Sequence, residues 1–313
     1  MPILAYLLTV ILLLPATAAW PQVAEAPPHA VPRSHQTDIV ASGGATYRIL
    51  VARPAAPAPA AGYPVLYVLD GNAMFGTLVD LVRRAEQGGP AAGAQPLIVA
   101  IGYPTDAAYD IARRSYDYTP PAPLAEPERR PDGTPYPRSP HGGADAFLDF
   151  LQRELHPSIA RDFPVDASRR ALLGHSYGGL LVLHALFTRP QAFRTYVAAS
   201  PSLWWNGGWI AGEEAAFLAG AAGHSVDARL LLSVGEHEQD LSPREIRSMP
   251  AAKAGERRRH LQRRAMVDAI TALAGRLAGH PGLTVSFRVH EDETHLSVVP
   301  VAYARALPLL WED

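Results

Sequence analysis

Short apolar runs alternate with helical patterns along most of this chain. Most of the runs lack the alternation of a half-buried strand, which is typical of strands buried on both faces. Strand and helix in alternation predict an α/β fold with a mainly parallel sheet covered by helices on both sides. The predicted strands are 46–54, 64–71, 96–104, 170–176, 195–201, 229–235 and 283–289, and the clearest helical patterns cover 145–155, 177–188 and 256–278.

The N-terminal residues indicate a targeting segment rather than a part of this fold. An apolar stretch, 3–14, is followed by Pro15 and an Ala-Thr-Ala tripeptide that resembles a signal-peptidase site, although no Lys or Arg precedes it. A membrane anchor is the alternative, but the stretch is shorter than the ~20 residues that span a bilayer. We therefore predict a cleaved signal peptide at 1–18, export to the periplasm, a lead-in at 19–45 and one domain at 46–313.

One segment inside the domain, 118–143, is rich in Pro and Gly and is too long for an ordinary connection. Loops of this length in compact domains are either functional lids or disordered insertions. We interpret this insertion as a lid, because it opens beside aromatic and basic residues and its own arginines could add positive charge to a binding site. These arginines are Arg129, Arg130 and Arg138.

Charge and cysteine content exclude several classes of function. Lys and Arg total 28 against 30 for Asp and Glu, a formal net charge of -2, so no global field favours nucleic acid or an anionic membrane. The chain has no cysteine, which excludes disulfides, thiolate catalysis and Cys-ligated metals. We expect no bound metal or organic cofactor, no nucleic-acid partner and no stable membrane span.

Ser176 lies where a predicted strand turns into a predicted helix. With Gly174 and Gly178 it forms the pattern G-x-S-x-G of a nucleophile elbow. The sharp turn brings backbone segments close together, which favours small residues two positions either side of the serine, and it aims the hydroxyl at the helix N-terminus. A structural Gly/Ser turn is the alternative. The strand before Ser176 is apolar, as expected of a strand buried on both faces, and the helix after it is apolar too. This context favours Ser176 as the catalytic nucleophile of an α/β-hydrolase fold.

A serine nucleophile needs a base, and the base needs an acid that orients it. In α/β-hydrolases the acid follows the serine and the histidine follows the acid. His295, in a loop before an apolar helix, is the predicted base, whereas His290 sits at a strand end and is expected to be exposed. Three acidic residues qualify by position, and we prefer Glu238 because it stands three residues beyond Gly235. The other two are Glu236 and Asp240.

Acyl transfer also requires hydrogen-bond donors for the oxyanion that develops on the substrate carbonyl. The backbone N–H of Tyr177, directly after the nucleophile, is the first expected donor. The predicted strand 64–71 ends in Asp70-Gly71-Asn72, and the backbone N–H of Asn72 is the second expected donor.

Distinctive motifs occur in a fixed order between Tyr47 and Leu310: VLYVLDGNAMF, ARRSYDYTP, GGADAFLDFL, LLGHSYGGL, ASPSLWW, VGEHEQ and THLSVVP. Together they resemble the esterase branch of the α/β-hydrolases, and more narrowly the periplasmic siderophore esterases that cut enterobactin and its glucosylated relatives. Some members of that family work with a serine–histidine dyad, so the acid is the least determined member of the site.

The resemblance also implies where substrate binds. Ferric tris-catecholate siderophores are anions, and Arg113 and Arg114 stand where that family has a basic patch. Trp204 and Trp205 would form an aromatic wall beside the serine. The alternatives are a solvated arginine pair and tryptophans that belong to the core.

The sequence thus predicts an exported serine esterase that hydrolyses a catecholate siderophore trilactone through an acyl-enzyme. Iron would arrive only as part of the substrate. Two alternatives remain open. One is another exported ester or acyl-transfer enzyme, of the feruloyl esterase or mycolyltransferase type, and the other is a siderophore-binding protein whose elbow performs no chemistry.

Overall fold

The computed structural model describes residues 30–88, 95–123, 127, 129–220 and 226–310. The predicted signal peptide, 1–18, lies outside these residues. Within the described ranges, no helix is both long enough and apolar enough to cross a bilayer.

Strands of the described residues form one eight-stranded sheet. They are β1 (Ser34–Val40), β2 (Thr46–Ala52), β3 (Tyr63–Val68), β4 (Leu97–Gly102), β5 (Val165–His175), β6 (Thr195–Ala199), β7 (Ala228–Gly235) and β8 (Leu283–His290). The order across the sheet is β1-β2-β4-β3-β5-β6-β7-β8. The pairs β1–β2 and β2–β4 are antiparallel and the others are parallel, which confirms the predicted mainly parallel sheet.

Helices cover both faces of this sheet. They are α1 (Gly71–Ala85), α2 (Ile111–Asp117), α3 (Ala144–Phe150), α4 (His156–Asp162), α5 (Tyr177–Thr188), α6 (Ile210–Leu218), α7 (Pro243–Ser248), α8 (Ala251–Arg264), α9 (Met266–Leu277) and α10 (Val298–Ala306). One core layer contains apolar residues of α1 and α10, and the other contains those of α3, α5, α6 and α9. Successive residues of β3 alternate between the two layers, Val65 and Tyr67 in one and Leu66 and Val68 in the other. The predicted α/β-hydrolase architecture is therefore confirmed.

An edge strand lies inside the segment predicted as a lead-in. β1 pairs with β2 along its whole length, from Ser34 opposite Ala52 to Val40 opposite Thr46. The lead-in predicted at 19–45 thus contains one strand of the sheet, Ser34–Val40, followed by a turn at 41–45. Hydrophobic periodicity does not detect β1, because its residues, SHQTDIV, are mostly polar and exposed and pair through the backbone at a sheet edge.

Two predicted helices are interrupted in the structure. The pattern 256–278 covers α8 and α9, which meet at Ala265 in the left-handed conformation, with φ 47°. The pattern 145–155 covers α3 and one turn of π-helix, Leu151–Leu155, which continues directly into α4. Pro157 in the first turn of α4 has no N–H to donate, which favours a widened turn before it.

Candidate active site

The predicted elbow is a sharp turn between β5 and α5. Ser176 has φ 59° and ψ -117°, a strained conformation for a residue with a side chain. A Cβ on Gly174 would lie 2.5 Å from the carbonyl carbon of Gly178 and 2.8 Å from Leu69 Cδ1, so position 174 requires glycine. A Cβ on Gly178 would meet no described atom closer than 3.4 Å, so position 178 has room for a small side chain.

Ser176, His295 and Glu238 form one continuous line of hydrogen bonds. His295 Nε2 lies 3.1 Å from Ser176 Oγ, and His295 Nδ1 lies 2.5 Å from Glu238 Oε2. The three residues follow β5, β8 and β7, parallel strands whose carboxyl ends meet at the same end of the sheet. This is the geometry of a nucleophile, a base and an orienting acid.

Glu238 is held in place through its other oxygen. It is 2% exposed, and its Oε1 accepts hydrogen bonds from Ser200 Oγ at 2.5 Å and from Gly235 N at 2.7 Å. Ser200 itself adopts the left-handed conformation, with φ 45°. A buried carboxylate with donors on both oxygens is fixed in orientation, so it can hold His295 in one position.

The other acidic residues and the other histidine that the sequence offered for the site do not contact Ser176 or His295 through a hydrogen bond found among the described residues. Glu236 accepts a hydrogen bond from a backbone N–H in the loop before His295, at 2.9 Å. Asp240 pairs with Arg258 at 2.7 Å. His290, expected to be exposed, is buried at the end of β8, and burial lowers its pKa below the ordinary value of 6.5.

Two polar neighbours of this line of hydrogen bonds lie within the motifs ASPSLWW and LLGHSYGGL, but neither the elbow pattern nor the order of acid and histidine predicts a role for them. Ser202 is buried, and its Oγ lies 3.2 Å from Ser176 Oγ. The ring of His175 packs against the ring of His295, with 4.5 Å between centroids. Burial, followed by the nearby charges of His295 and Arg114, lowers the pKa of His175 well below 6.5. His175 is therefore a neutral ring beside the imidazole that faces Ser176.

The expected oxyanion donors lie at the N-termini of two helices. Tyr177 is the first residue of α5 and Asn72 is the second residue of α1. Helix N-termini carry the positive end of the helix dipole, which favours negative charge nearby. The side chain of Asn72 is fixed at the end of β4, because its Nδ2 donates to Tyr103 O at 3.0 Å and its Oδ1 accepts from Tyr103 N at 2.8 Å.

Ser176 opens into a cleft of about 620 Å³. The described residues that line it are aromatic, cationic or neutral, and none of them is Asp or Glu. Such a lining favours anionic and aromatic ligands. Besides Ser176 and Tyr177, it includes Arg114, Tyr136, Arg138, His141, Trp204, Trp205 and Arg264.

Residues 41–273 match the model of the family described as "Putative esterase". The chain belongs to this esterase family. It is 37% identical to the ferri-bacillibactin esterase BesA of Bacillus subtilis, over 84% of this chain and 83% of the relative. It is 39% identical to a siderophore triacetylfusarinine C esterase of Aspergillus fumigatus, over 80% and 82% of the two chains. Among solved structures it resembles the siderophore hydrolase EstA from Aspergillus nidulans, with a TM-score of 0.83, 36% identity and coverage of 92% and 97%. The protein is accordingly a carboxylic ester hydrolase.

In this esterase, Arg114 forms a buried ion pair. Its Nε and Nη2 donate to the two carboxylate oxygens of Asp70 at 2.8 and 2.9 Å. The guanidinium also lies 5.5 Å from the ring centroid of Tyr118 and 5.6 Å from those of Tyr109 and Tyr177. Arg114 therefore lines the cleft with its charge already balanced, and it fixes the aromatic rings around it.

Arg113 faces a different cavity of the esterase, with a volume of about 530 Å³. Its guanidinium lies over the rings of Tyr47 and Tyr103, at 5.1 and 4.6 Å from their centroids. Adjacent residues of a helix point about 100° apart, so Arg113 and Arg114 face different sites. The expected contact of Arg113 with substrate is not supported by this position.

The described part of the insertion brings one of its three arginines, Arg138, to the cleft. The other two contact the insertion itself. Arg129 Nη1 donates to Gly133 O at 3.0 Å, and the guanidinium of Arg130 lies 5.2 Å from the ring centroid of Tyr136. The insertion thus adds less positive charge to the cleft than its sequence suggests.

Both tryptophans of the sequence hypothesis, Trp204 and Trp205, line the cleft. The ring of Trp204 lies 6.0 Å from that of Tyr177, and the guanidinium carbon of Arg264 lies 3.9 Å from the centroid of Trp204. Arg264 was not among the sequence candidates. It ends α8, about sixty residues along the chain from Trp204 and outside every motif, so only the folded arrangement reveals it.

Proposed function

We propose that this esterase hydrolyses the ester bonds of a catecholate siderophore trilactone through an acyl-enzyme on Ser176. The observation that carries the proposal is the line of hydrogen bonds from Ser176 through His295 to the buried Glu238. A lone serine hydroxyl is a weak nucleophile, and this arrangement supplies the base and the orienting acid that it needs.

Acylation begins when Ser176 Oγ attacks the ester carbonyl and its proton passes to His295 Nε2. The negative charge on the carbonyl oxygen is stabilised by the backbone N–H groups of Tyr177 and Asn72. The C–O bond to the leaving alcohol then breaks, and the alcohol takes the proton from His295. The result is an ester between Ser176 and the acyl part of the substrate.

Deacylation repeats these steps with water in place of the serine. The water oxygen attacks the acyl carbon while His295 takes a proton from the water. His295 then returns a proton to Ser176 Oγ as the bond between Oγ and the acyl carbon breaks. Glu238 keeps Nδ1 of His295 protonated and Nε2 directed at Ser176, and it stabilises the imidazolium while it exists. The products are a carboxylic acid and the restored serine.

The cleft supports a siderophore as the substrate class. Its aromatic walls, Trp204 and Trp205, suit catechol rings, and Arg138 and Arg264 suit the negative charge of a ferric tris-catecholate. The relatives are named for esters of ferri-bacillibactin and of triacetylfusarinine C, which supports iron-siderophore esters in general. Triacetylfusarinine C is therefore the second candidate substrate.

Product analysis tests the proposal directly. The purified protein is incubated with apo-enterobactin, ferric enterobactin and triacetylfusarinine C, and products are separated by mass. We expect products that have gained water at each cleaved ester from wild type and from Ser139→Ala, a serine of the same cleft, but not from Ser176→Ala. Intact siderophores in all wild-type samples, together with hydrolysis of a simple aryl ester, would support another ester or acyl-transfer enzyme of the feruloyl or mycolyl type.

A fluorophosphonate probe tests the nucleophile independently of the substrate. We expect covalent labelling of wild type and of Ser139→Ala, and no labelling of Ser176→Ala. A folded wild-type protein that binds ferric enterobactin but resists the probe would be a siderophore-binding protein rather than a serine esterase.

Export to the periplasm is part of the same proposal and is supported by the N-terminal pattern of the sequence. Expression of the full chain in a Gram-negative host, followed by fractionation and N-terminal sequencing, measures it. Cleavage near residue 18 and recovery in the periplasmic fraction are expected, whereas an uncleaved chain in the membrane fraction would indicate an anchor.

A further inference from the structure

Another polar cavity lies toward the amino ends of the parallel strands, away from Ser176. It has a volume of about 350 Å³, and its lining includes Gln152, His156, Arg170 and Arg189. Arg170 lies in β5, and Ser176 follows the end of that strand, so the two residues are about 20 Å apart along the strand direction. We call this cavity the Arg170 cleft.

Two side chains of the Arg170 cleft carry buried polar atoms that bond to no described residue. His156 is 6% exposed and both of its ring nitrogens lack a partner, and Nε of Arg170 is buried without one. The ring of His156 is fixed by packing at 4.4 Å from the ring of Tyr67 and 5.4 Å from that of Phe193. Buried polar groups are nearly always hydrogen-bonded, so these atoms point to a ligand with hydrogen-bonding groups.

Arg170 also differs from the neighbouring arginines, which each form an ion pair with a carboxylate. Arg169 pairs with Asp166 at 2.7 Å, and Arg189 pairs with Asp149 at 2.6 Å. Arg170 has no ion pair with any residue in the described part of the chain. A guanidinium beside a cavity without a carboxylate partner attracts an anion, and its planar fork matches two oxygens of one group.

The charge of Arg170 acts on His156 as well. Burial, and then the positive charge of Arg170, lower the pKa of His156 from 6.5 to about 3. The ring is therefore neutral near pH 7, with one N–H to donate. An anion beside both residues would accept that hydrogen bond and would balance the charge that now opposes protonation.

We propose that the Arg170 cleft binds a small oxyanion, either a carboxylate or a phosphate, with Arg170 as its charge partner and His156 as a hydrogen-bond donor. Gln152 adds a donor to the lining, because its Oε1 already accepts from Arg189 Nη1 at 3.2 Å and its amide nitrogen can donate. The volume is more than ten times the ~30 Å³ of one water molecule, which leaves room for phosphate or a short organic acid. Binding here is a property separate from ester hydrolysis.

Titration of the histidine rings tests this site. The full chain is labelled with ¹⁵N in its histidines, the signals of His156 are assigned with His156→Gln, and inorganic phosphate or succinate is added at constant ionic strength maintained with chloride. We expect a saturable change in the His156 signals with at least one probe. A response to phosphate alone or to succinate alone identifies which oxyanion the cleft takes.

Variants then assign the charge partner. Arg170→Gln should weaken binding of the effective probe at least tenfold, measured by calorimetry and by the ligand-dependent rise in Tm. Arg194→Gln is the matched control, because Arg194 stands near the same end of the sheet but pairs with Asp227, and it should bind like wild type. Unchanged His156 signals with both probes, an equal response to chloride, or equal affinity in Arg170→Gln would overturn the proposal.

A failure of the oxyanion proposal can be distinguished from a failure of the proposed esterase activity. The rate of fluorophosphonate labelling of Ser176 should be the same in Arg170→Gln and in wild type, because the two sites are about 20 Å apart. If Arg170→Gln does not fold, the titration of His156 in wild-type protein decides the question alone.

Discussion

Glu238 accepts hydrogen bonds on both carboxylate oxygens, which distinguishes it from the two other acidic residues of its turn. Glu238→Gln replaces one oxygen by an amide nitrogen, so a donor would face either His295 or Ser200, which are themselves donors. We expect kcat to fall about 10²- to 10⁴-fold with little change in KM. Steady-state kinetics on a chromogenic ester measures the effect.

Asp240→Asn is the matched control for this change. Its carboxylate pairs with Arg258 at the surface, so the variant should keep kcat within about twofold of wild type. No loss in Glu238→Gln would mean that a serine–histidine dyad suffices. Equal losses in both variants would mean that Glu238 has no special role among the acidic residues of this turn.

Single residues differ in how far the sequence could locate them. Ser176 and His295 could be proposed because the elbow pattern and the order of acid and histidine are features of the chain itself. The acid could only be narrowed to three neighbours, since a choice among them depends on which side chain turns inward. Ser200 and Arg264 could not be found, because only side-chain contacts in the folded protein connect them to the site, Ser200 with Glu238 and Arg264 with Trp204.

The two glycines of the elbow motif differ in how closely other atoms approach them: Gly174 is tightly enclosed, whereas Gly178 has space for a methyl group. Gly174→Ala would push a methyl group into the backbone of Gly178, whereas Gly178→Ala has ordinary contacts and replaces a helical glycine by a better helix former. We expect Gly174→Ala to lose about 3 kcal/mol of unfolding free energy, or to fail to fold, and Gly178→Ala to stay within about 1 kcal/mol of wild type.

Urea unfolding measures both changes, and the rate of fluorophosphonate labelling reports whether the turn keeps its shape. A stable, fully reactive Gly174→Ala protein would contradict the close approach of β5 and α5 at this point.

Helix α5 is linked to two neighbouring helices through His184. Its Nδ1 lies 2.8 Å from Glu213 of α6, and its Nε2 lies 3.4 Å from Asp145 of α3. Burial alone would lower the pKa of His184, but the hydrogen bonds and charges of the two carboxylates outweigh it and raise the pKa to about 9. The imidazole is therefore charged at neutral pH and joins three helices.

This raised pKa makes stability depend on pH in one direction. The contribution is fully present below the unfolded pKa near 6.5 and is lost as pH rises through 9, and it amounts to about 3 kcal/mol at most. Urea unfolding at about pH 6, 8 and 10 should show that His184→Gln is most destabilised at the lowest pH. A stability difference from wild type that stays constant across this range would argue against a charged His184.

Strands and helices that have a hydrophobic pattern in their own sequence could be predicted more easily than those that form only because another strand or helix packs beside them. Strands such as β3 and β4 could be located because burial on both faces requires unbroken apolar sequence. The polar edge strand β1 depends on the backbone of β2 and leaves no such pattern. The break at Ala265 could not be predicted either, since neither Gly nor Pro marks it.

For the molecule as a whole, a net charge of -2 means that any attraction for an anionic substrate must be local to the cleft. Arg138→Gln should raise KM for ferric enterobactin about three- to tenfold, because a charged contact is lost, without affecting KM for a neutral aryl ester. Steady-state kinetics at low and high salt measure both KM values. High salt should raise the KM of wild type for ferric enterobactin toward that of the variant, because it screens the charged contact.

Arg129→Gln is the control for the whole insertion, because Arg129 bonds within the loop rather than lining the cleft. It should leave both KM values unchanged. Equal effects of the two substitutions would indicate that the insertion acts through its overall charge.

The described residues of 118–143 contribute a cation and two aromatic rings to the cleft, but no strand of the sheet and none of the three residues hydrogen-bonded in line with Ser176. Part of the cleft lining is thus encoded in a stretch of the gene separate from the codons of Ser176, Glu238 and His295. Exchange of this stretch between homologous enzymes, or its randomisation in a directed-evolution library, should alter which esters are accepted while the hydrolytic apparatus stays intact.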